Sequence, residues 1–344
     1  MNNKTNTTTW QRFVALLQKV GFTPLGFFLL IILLVLPFIP PFDQEHILRW
    51  MIMGAFLAAQ SVAFDFTAGY INVVNFGFAA ILGLGAYTSG MLANTRPSII
   101  LQLGISPWIG IWVGAIVAGL LGLLLGMLTL RLRGIFAAVM AWFVGIALMG
   151  VVNNLTEWTR GPLGNRPYFY IIMAMLLVVY IVLKLITKSN YGLAFRAIGQ
   201  NFDAARASGI NPTKYRVFNF AVSAFFAGWL GGFYAHYFGS LTPQTLMHTS
   251  KTVEVLAIAY IGGRGSLWGG IAVAFPFVFF IEYLRSTLTE LPGLHLVIYG
   301  ALMILVMIYY PAGFSGFFDW VKAKVTTLFS KPESKSHETN LRTN

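Results

Sequence analysis

The sequence PWIGIWVGAIVAGLLGLLLGMLTL, residues 107–130, contains no charged residue and is long enough to cross a lipid bilayer as a helix. Glycine recurs along it at a spacing of four residues, as Gly110 with Gly114 and as Gly122 with Gly126. Small residues one helical turn apart let helix backbones approach closely. We therefore interpret this stretch as a transmembrane helix packed tightly inside one bundle; a dimerisation face is the alternative use of these glycines.

The composition of the whole chain agrees with a membrane-embedded fold. Hydrophobic residues make up 57% and charged residues 10% of the 344 positions, whereas a soluble domain carries about 25% charged residues. No polar stretch is long enough to bury a core of its own, so we expect no separate soluble domain. Cysteine is absent, which excludes disulfides, thiol nucleophiles and cysteine metal sites.

We predict an all-α, polytopic transmembrane bundle with about ten crossings, including short or broken helices. The predicted crossings are residues 24–41, 49–68, 76–93, 107–130, 135–153, 168–187, 216–237, 252–262, 270–286 and 294–310. Residues 1–23 are predicted to form a cytoplasmic N-terminal segment, residues 24–320 one transmembrane domain, and residues 321–344 a polar, disordered cytoplasmic tail.

The distribution of basic residues orients this bundle. Placing both termini in the cytoplasm puts 17 of the 23 lysines and arginines on the cytoplasmic side. Basic residues concentrate in the cytoplasmic loops of membrane proteins. This asymmetry accounts for the net charge of +12 without nucleic acid as a partner.

The longest polar connector is SNYGLAFRAIGQNFDAARASGINPTKYRVFNF, residues 189–220. Residues 193–198 and 203–208 are predicted to be short helices, with Gly209 as a left-handed C-cap after which Ile210 folds back on the preceding turn. Such a connector on the cytoplasmic side is suited to contact a soluble partner. The alternative is a solvated loop held by the headgroups of anionic membrane lipid.

A second polar segment interrupts the apolar sequence at residues 65–80, DFTAGYINVVNFGFAA. We interpret it as a break between the second and third crossings, with polar side chains beside two glycines. Polar groups at membrane depth face a cavity or the bundle interior, so one reading is a permeation pathway. The other is that Asn72 and Asn75 satisfy backbone groups freed by the break. For Asp65, a position at the cytoplasmic interface of the membrane is a further alternative.

A third segment, IGGRGSLWGG at residues 261–270, holds five glycines and is predicted to be a hinge or re-entrant turn with Arg264 facing the cytoplasm. The residues expected to build this turn are Gly262, Gly263, Arg264, Gly265 and Trp268. The segment has no lysine and so does not fit the phosphate-binding loop pattern.

Two classes of membrane protein, a stand-alone secondary carrier and a membrane enzyme, each require residues that a sequence would show. A stand-alone secondary carrier needs a titratable residue at mid-span. The candidates Glu254 and Glu282 lie near the outer ends of their predicted spans, where an interfacial placement is expected. A membrane enzyme needs a cluster of catalytic side chains, and the sequence shows no such motif.

Several segments in order resemble one transporter family. They are GAYTSG in the third span, Arg131 to Gly134, the loop of Ser189 to Asn211, GGRGSLWG at 262–269, and Pro311 with Gly313. This order resembles the LivM-type permeases of branched-chain amino acid ABC importers over about residues 24–320. Urea and short-amide importers contain similar permeases, so both substrate classes remain open.

The resemblance implies a subunit of the prokaryotic inner membrane that pairs with a second, LivH-like permease. It also implies two cytoplasmic ATP-binding subunits, which hold the ATP and magnesium, and an extracytoplasmic solute-binding protein; the chain itself would be no enzyme and would need no cofactor. ATPase coupling would then fall on Gly192, Arg196, Asp203, Ala204, Ala205, Gly209 and Ile210. The translocation path would be lined by Asp65, Thr67, Gly69, Asn72, Asn75 and Gly77.

Overall fold

The computed structural model describes residues 14, 24–93, 104–129, 132, 135–153, 157–158, 165–287, 294–309, 313–314 and 316. The predicted N-terminal segment 1–23 and the polar tail 321–344 lie outside the described residues, apart from residue 14. The motif at 131–134 lies outside them as well, apart from residue 132.

The described chain is almost entirely helical. Its helices are α1 (Pro24–Val35), α2 (Glu45–Ala68), α3 (Phe78–Ala93), α4 (Pro107–Leu128), α5 (Ile135–Val152), α6 (Asn165–Lys188), α7 (Asn190–Gln200), α8 (Phe202–Ala207), α9 (Pro212–Phe238), α10 (Pro243–Leu246), α11 (Thr249–Gly262), α12 (Trp268–Thr287) and α13 (Leu294–Tyr309). A 3-10 turn, Leu36–Phe38, follows α1. Two short strands, β1 (Glu157–Trp158) and β2 (Ser240–Leu241), pair antiparallel.

The structure confirms an all-α, polytopic bundle. Each of the ten predicted crossings coincides with a helix. Within the described ranges, six helices are long and apolar enough to cross a membrane: α2, α4, α5, α6, α9 and α12. The helices α1, α3, α11 and α13 are shorter, so the count of ten crossings and the cytoplasmic position of both termini stay predictions.

The core forms where α9 packs against α4, α3 and α2. A Cβ atom on Gly114 of α4 would lie 2.5 Å from the carbonyl oxygen of Gly85 on α3. A Cβ atom on Gly122 would lie 2.2 Å from the Cβ of Ala224 on α9. The glycines spaced by four residues therefore serve close packing inside the bundle, as the sequence predicted.

Hydrogen bonds between helices fix how α9 sits on α2. The side-chain amide nitrogen of Asn219 donates to the carbonyl oxygen of Phe66 at 2.8 Å. The hydroxyl of Ser223 donates to the carbonyl oxygen of Ala63 at 2.7 Å. Both side chains are buried. Because a polar group in an apolar interior is costly unless it is paired, these two bonds lock one register of the helices.

Two interruptions of the helices lie close together in space. Residues 69–77 connect α2 to α3, and residues 263–267 connect α11 to α12. The α11–α12 hairpin packs along α2, and α3 contacts α11 near its own start. The two irregular segments predicted from sequence are therefore neighbours, and the candidate site is built around them.

Candidate functional site

The carboxylate of Asp65 joins the end of α2 to the glycine-rich turn. Its Oδ1 accepts a hydrogen bond from the backbone nitrogen of Gly265 at 2.8 Å, and its Oδ2 accepts one from that of Leu267 at 3.2 Å. The side chain is only 3% exposed. The structure thus places Asp65 inside the protein, bonded to backbone; its position at the cytoplasmic interface of the membrane stays a prediction.

The glycine-rich turn has the conformation that its composition predicts. Gly263 and Gly265 have φ angles of 104° and 76°, in the region that favours glycine. Gly69 approaches this turn so closely that a Cβ atom would lie 2.3 Å from the nitrogen of Gly265. The segment is a tight turn held against the end of α2, and whether it also acts as a hinge stays a prediction.

The flanks of this turn are close-packed as well. Gly262 is the last residue of α11. A Cβ atom on Gly269 would lie 1.8 Å from the carbonyl oxygen of Gly262. The guanidinium of Arg264 lies over the ring of Tyr260, 5.7 Å from its centroid. Trp268 is the first residue of α12.

The polar connector forms two helices, and α8 is capped at its start by Asn201 and at its end by Gly209. The side chain of Asn201 accepts hydrogen bonds from the backbone nitrogens of Asp203 and Ala204, which starts α8. Gly209 has φ 82°, and the nitrogen of Ile210 donates to the carbonyl oxygen of Ala205 at 3.1 Å. The predicted left-handed C-cap is confirmed. The helices differ from prediction in length, because α7 extends over Asn190–Gln200.

The unit of α7 and α8 is attached to the segment that follows α2. Ile71 packs with Ile198 and Ala205 in a small buried cluster. The guanidinium of Arg196 lies 5.4 Å from the ring centroid of Tyr70, and a Cβ atom on Gly199 would lie 2.3 Å from the Tyr70 carbonyl oxygen. The α7–α8 unit, the residues after α2 and the glycine-rich turn therefore form one contiguous assembly, which we call the junction.

The residues predicted for ATPase coupling divide into a surface set and a buried set. Of these residues, Ala204, Asp203, Gly209 and Arg196 are exposed, and their neighbour Arg206 is exposed as well. Gly192 is buried, and a Cβ atom on it would lie 2.0 Å from the carbonyl oxygen of Thr187. Ala205 lies on the buried side of α8, and Ile210 packs against the same cluster. Only the surface set is accessible to another protein, whereas the buried set packs inside the unit.

The polar residues predicted to line a path are scattered along the break. Thr67 is buried, and its hydroxyl has no hydrogen-bond partner among the described residues. Asn72 is exposed with φ 59°. Asn75 is buried, and its side-chain oxygen accepts from the nitrogen of Gly77 at 3.1 Å. Asn75 thus satisfies backbone at the break, as the second reading of this segment expected.

Thr252 is a residue of this region that the sequence analysis missed. Its hydroxyl accepts from the nitrogen of Ala79 at 3.0 Å and donates to the carbonyl oxygen of Phe76 at 3.2 Å. A side chain from α11 thereby caps the start of α3, although it lies 173 residues away in sequence from Ala79. No local signal marks a threonine for that role.

A cleft of about 110 Å³ opens between α2, α3, α11 and α12. On one wall Lys251 pairs with Glu254 at 2.9 Å, and on the other Arg285 pairs with Glu282 at 2.8 Å. Gln60 of α2 also lines the cleft. The structure therefore places the two outer carboxylates of the sequence analysis in ion pairs, both facing one cleft.

A second groove, of about 310 Å³, lies between α5 and the start of α11. Its lining includes Trp142, whose indole nitrogen donates to the hydroxyl of Thr249 at 2.8 Å. The other lining side chains are mostly apolar, so the groove offers few groups for recognising a polar solute.

Comparison with known proteins agrees with a transport role. A family described as "Branched-chain amino acid transport system / permease component" matches residues 46–307. A high-affinity branched-chain amino acid transport system permease protein, LivM of Salmonella typhimurium, is 25% identical over 284 residues, which cover 71% of this chain and 64% of that protein. The chain therefore spans somewhat less than two thirds of this relative's length.

Other relatives match shorter stretches. A probable branched-chain amino acid transport permease protein, LivH of Methanocaldococcus jannaschii, is 27% identical over 45% of this chain and 49% of its own length. An autoinducer 2 import system permease protein, LsrC of Yersinia enterocolitica, is 26% identical over 64% of this chain and 55% of its own length. No solved structure matches.

Proposed function

Because this chain belongs to the family of permease components of branched-chain amino acid transport systems, we propose that it builds, with a second permease, the translocation path of an ABC importer. The chain is a multi-pass protein of the inner membrane. The match to a LivH protein supports a permease of that kind as its partner. In this proposal ATP and magnesium are held by two cytoplasmic ATP-binding subunits, and a solute-binding protein delivers the substrate from outside.

The observation that carries this proposal is the construction of the α7–α8 unit. Asp203, Ala204 and Arg206 are exposed on its surface. We call these three residues the platform, and its small, charged surface is suited to a groove in a soluble partner. The underside of the unit packs against Ile71, the third residue after α2. A partner that moves this platform would move the end of α2 with it, since interiors are close-packed and transmit displacement.

We propose that nucleotide binding in the partner subunits drives alternating access through this contact. A bound ligand shifts a conformational equilibrium only by its differential affinity for the two states. Closure of the ATPases supplies that difference at the platform, and the junction passes it to α2 and to the α11–α12 hairpin. The substrate of this cycle is proposed to be a small polar solute, most simply a branched-chain amino acid.

The translocation path is proposed to run along the break after α2. The buried hydroxyl of Thr67, which has no partner in the part of the chain that the structure describes, and the exposed side chain of Asn72 offer polar groups there. Gly69 and Gly77 keep the break narrow, because a Cβ atom on Gly77 would lie 2.3 Å from the carbonyl oxygen of Ala141. Any widening of the path therefore requires movement of the helices that contact these two glycines.

Reconstitution tests the proposed function. Proteoliposomes holding this chain, its second permease and the two ATP-binding subunits are expected to take up L-leucine only with ATP and the binding protein present. The chain alone is expected to show neither uptake nor ATP hydrolysis. Uptake by the chain alone, driven by a proton or sodium gradient, would instead identify a secondary carrier.

The orientation of the platform is testable by cysteine labelling, because the natural chain contains no cysteine. In Leu193→Cys, the side chain replaced is 66% exposed on α7, and we expect an impermeant maleimide to label it only after cells are permeabilised. Asp43→Cys, at an exposed position before α2, is the matched control and is expected to label in intact cells. Labelling of Leu193→Cys in intact cells would refute the coupling role.

A further inference from the structure

We infer that the end of α6 and the adjoining side of α7 form a binding site for an anionic phospholipid. Lys184 and Lys188 of α6 and Arg196 of α7 hold the phosphate of its headgroup, and its acyl chains lie along α6. The site goes beyond the proposed import function and does not depend on it, because a place in the inner membrane is enough to bring the chain into contact with such lipids.

Three basic side chains meet at the corner between α6 and α7. Lys184 and Lys188 stand one helical turn apart near the end of α6. The corner is tight, since a Cβ atom on Gly192 would lie 2.0 Å from the carbonyl oxygen of Thr187. The charges of Lys188 and Arg196 both act on Lys184. Because like charges repel, most strongly where water is scarce, the corner favours an anion between them.

The described residues supply no carboxylate to two of these three cations. Neither Lys184 nor Arg196 takes part in an ion pair within the described ranges, where the ion pairs lie on α11 and α12. The end of α6 carries the partial negative charge of the helix dipole, equivalent to about half an elementary charge. That partial charge does not balance two full positive charges. A bound anion would complete the balance.

Arg196 is held in a position that suits a phosphate ligand. Its guanidinium lies 5.4 Å from the ring centroid of Tyr70, and the side chain is exposed. A guanidinium can stack on an aromatic ring and still donate hydrogen bonds from its edge to a phosphate. Tyr70 belongs to the junction, so a headgroup that fixes Arg196 would also hold α7 against the residues after α2.

The depth of Lys184 favours a lipid headgroup over an anion in solution or an acidic protein. At a rise of about 1.5 Å per residue, Lys184 lies about 6 Å further into the span than Lys188. Its side chain is half-buried, and a lysine at such a depth extends its ammonium towards the headgroups. Tyr191 and Phe218, two exposed aromatic residues with ring centroids 5.1 Å apart, lie beside this corner. Aromatic residues of this kind mark the membrane–water interface.

An exposed apolar stripe leads along α6 to the cluster. Its side chains recur every three or four residues on one face of the helix and are Ala174, Val178, Val182 and Leu185. Lys188 continues this spacing, three residues after Leu185. The stripe and the cations together match the acyl chains and the phosphate of one anionic phospholipid. A zwitterionic phospholipid carries an ammonium group beside its phosphate, which the cluster would repel.

Native mass spectrometry and thermal unfolding of the full chain in detergent test this site. We expect the wild type to retain added phosphatidylglycerol and to unfold at a higher temperature with it, because a ligand of the native state stabilises that state. In Lys184→Gln with Lys188→Gln, we expect at least tenfold weaker affinity and no rise in the midpoint, since each basic residue beside anionic lipid contributes severalfold to affinity. Lys184→Arg with Lys188→Arg keeps both charges and is expected to bind like the wild type.

Lys214→Glu is the matched control, because it changes the net charge by the same two units at an exposed position outside the cluster. We expect it to bind phosphatidylglycerol like the wild type. Unchanged affinity in the double glutamine variant, or an equal loss in Lys214→Glu, would overturn the inference. So would equal binding of phosphatidylethanolamine, or the same rise in midpoint with inorganic phosphate alone. None of these measurements involves transport, so a failure of the wild-type complex to import L-leucine would reject the proposed function and leave the lipid site standing.

Discussion

Replacing Asp65 by leucine is expected to abolish transport and to destabilise the purified protein. The leucine side chain cannot accept from Gly265 and Leu267, so the part-buried N–H of Gly265 and the buried N–H of Leu267 lose their partner. An unpaired buried donor costs about 1–3 kcal/mol, and the more accessible N–H of Gly265 adds less than that to the loss. The measurements are the midpoint of thermal unfolding in detergent and ATP-dependent uptake after reconstitution.

Asp65→Asn is the matched control for shape. Its amide oxygen can replace one of the two acceptors, whereas its NH2 group faces the second backbone N–H as another donor. We therefore expect a midpoint and an uptake rate between those of the wild type and Asp65→Leu. If Asp65→Leu unfolds and transports like the wild type, the Asp65 carboxylate does not hold the glycine-rich turn against α2.

A tryptophan at Ala204 is expected to remove the ATP-binding subunits from the complex without affecting the fold of this chain. Ala204 is exposed on α8, so the larger ring meets solvent in the isolated permease but occupies the space that a docked partner needs. We expect at least a tenfold loss of ATPase co-purification and of uptake. The amount of chain inserted in the membrane and its thermal midpoint are expected to be unchanged.

The neighbouring residue separates docking from folding. Ala205 is 4% exposed and packs with Ile71 and Ile198. A leucine there overfills the small cluster, which costs about 1–3 kcal/mol. Ala205→Leu is therefore expected to lower the thermal midpoint, whereas Ala204→Trp is not. Normal co-purification of the ATPases with Ala204→Trp would remove this surface from the coupling contact.

Local chemistry determines the spans, caps and turns of this protein independently of its tertiary contacts. The uncharged run at 107–130 predicts a span because unpaired backbone groups are intolerable in lipid. The cap at Gly209 and the turn around Gly263 follow from the rarity of positive φ in other residues. Such features depend on residues that are neighbours in the sequence, so the sequence alone predicts them.

The joining of these features was decided only by the tertiary structure. Asp65 lies 200 residues from Gly265, and Thr252 lies 173 residues from Ala79. Nothing near Gln60 in sequence shows that four helices would enclose it. A hydrogen bond between distant residues depends on the packing of whole helices, and close packing is a property of the assembled interior. The sequence therefore determined the spans and turns, and the packing determined which of them form the junction and the cleft.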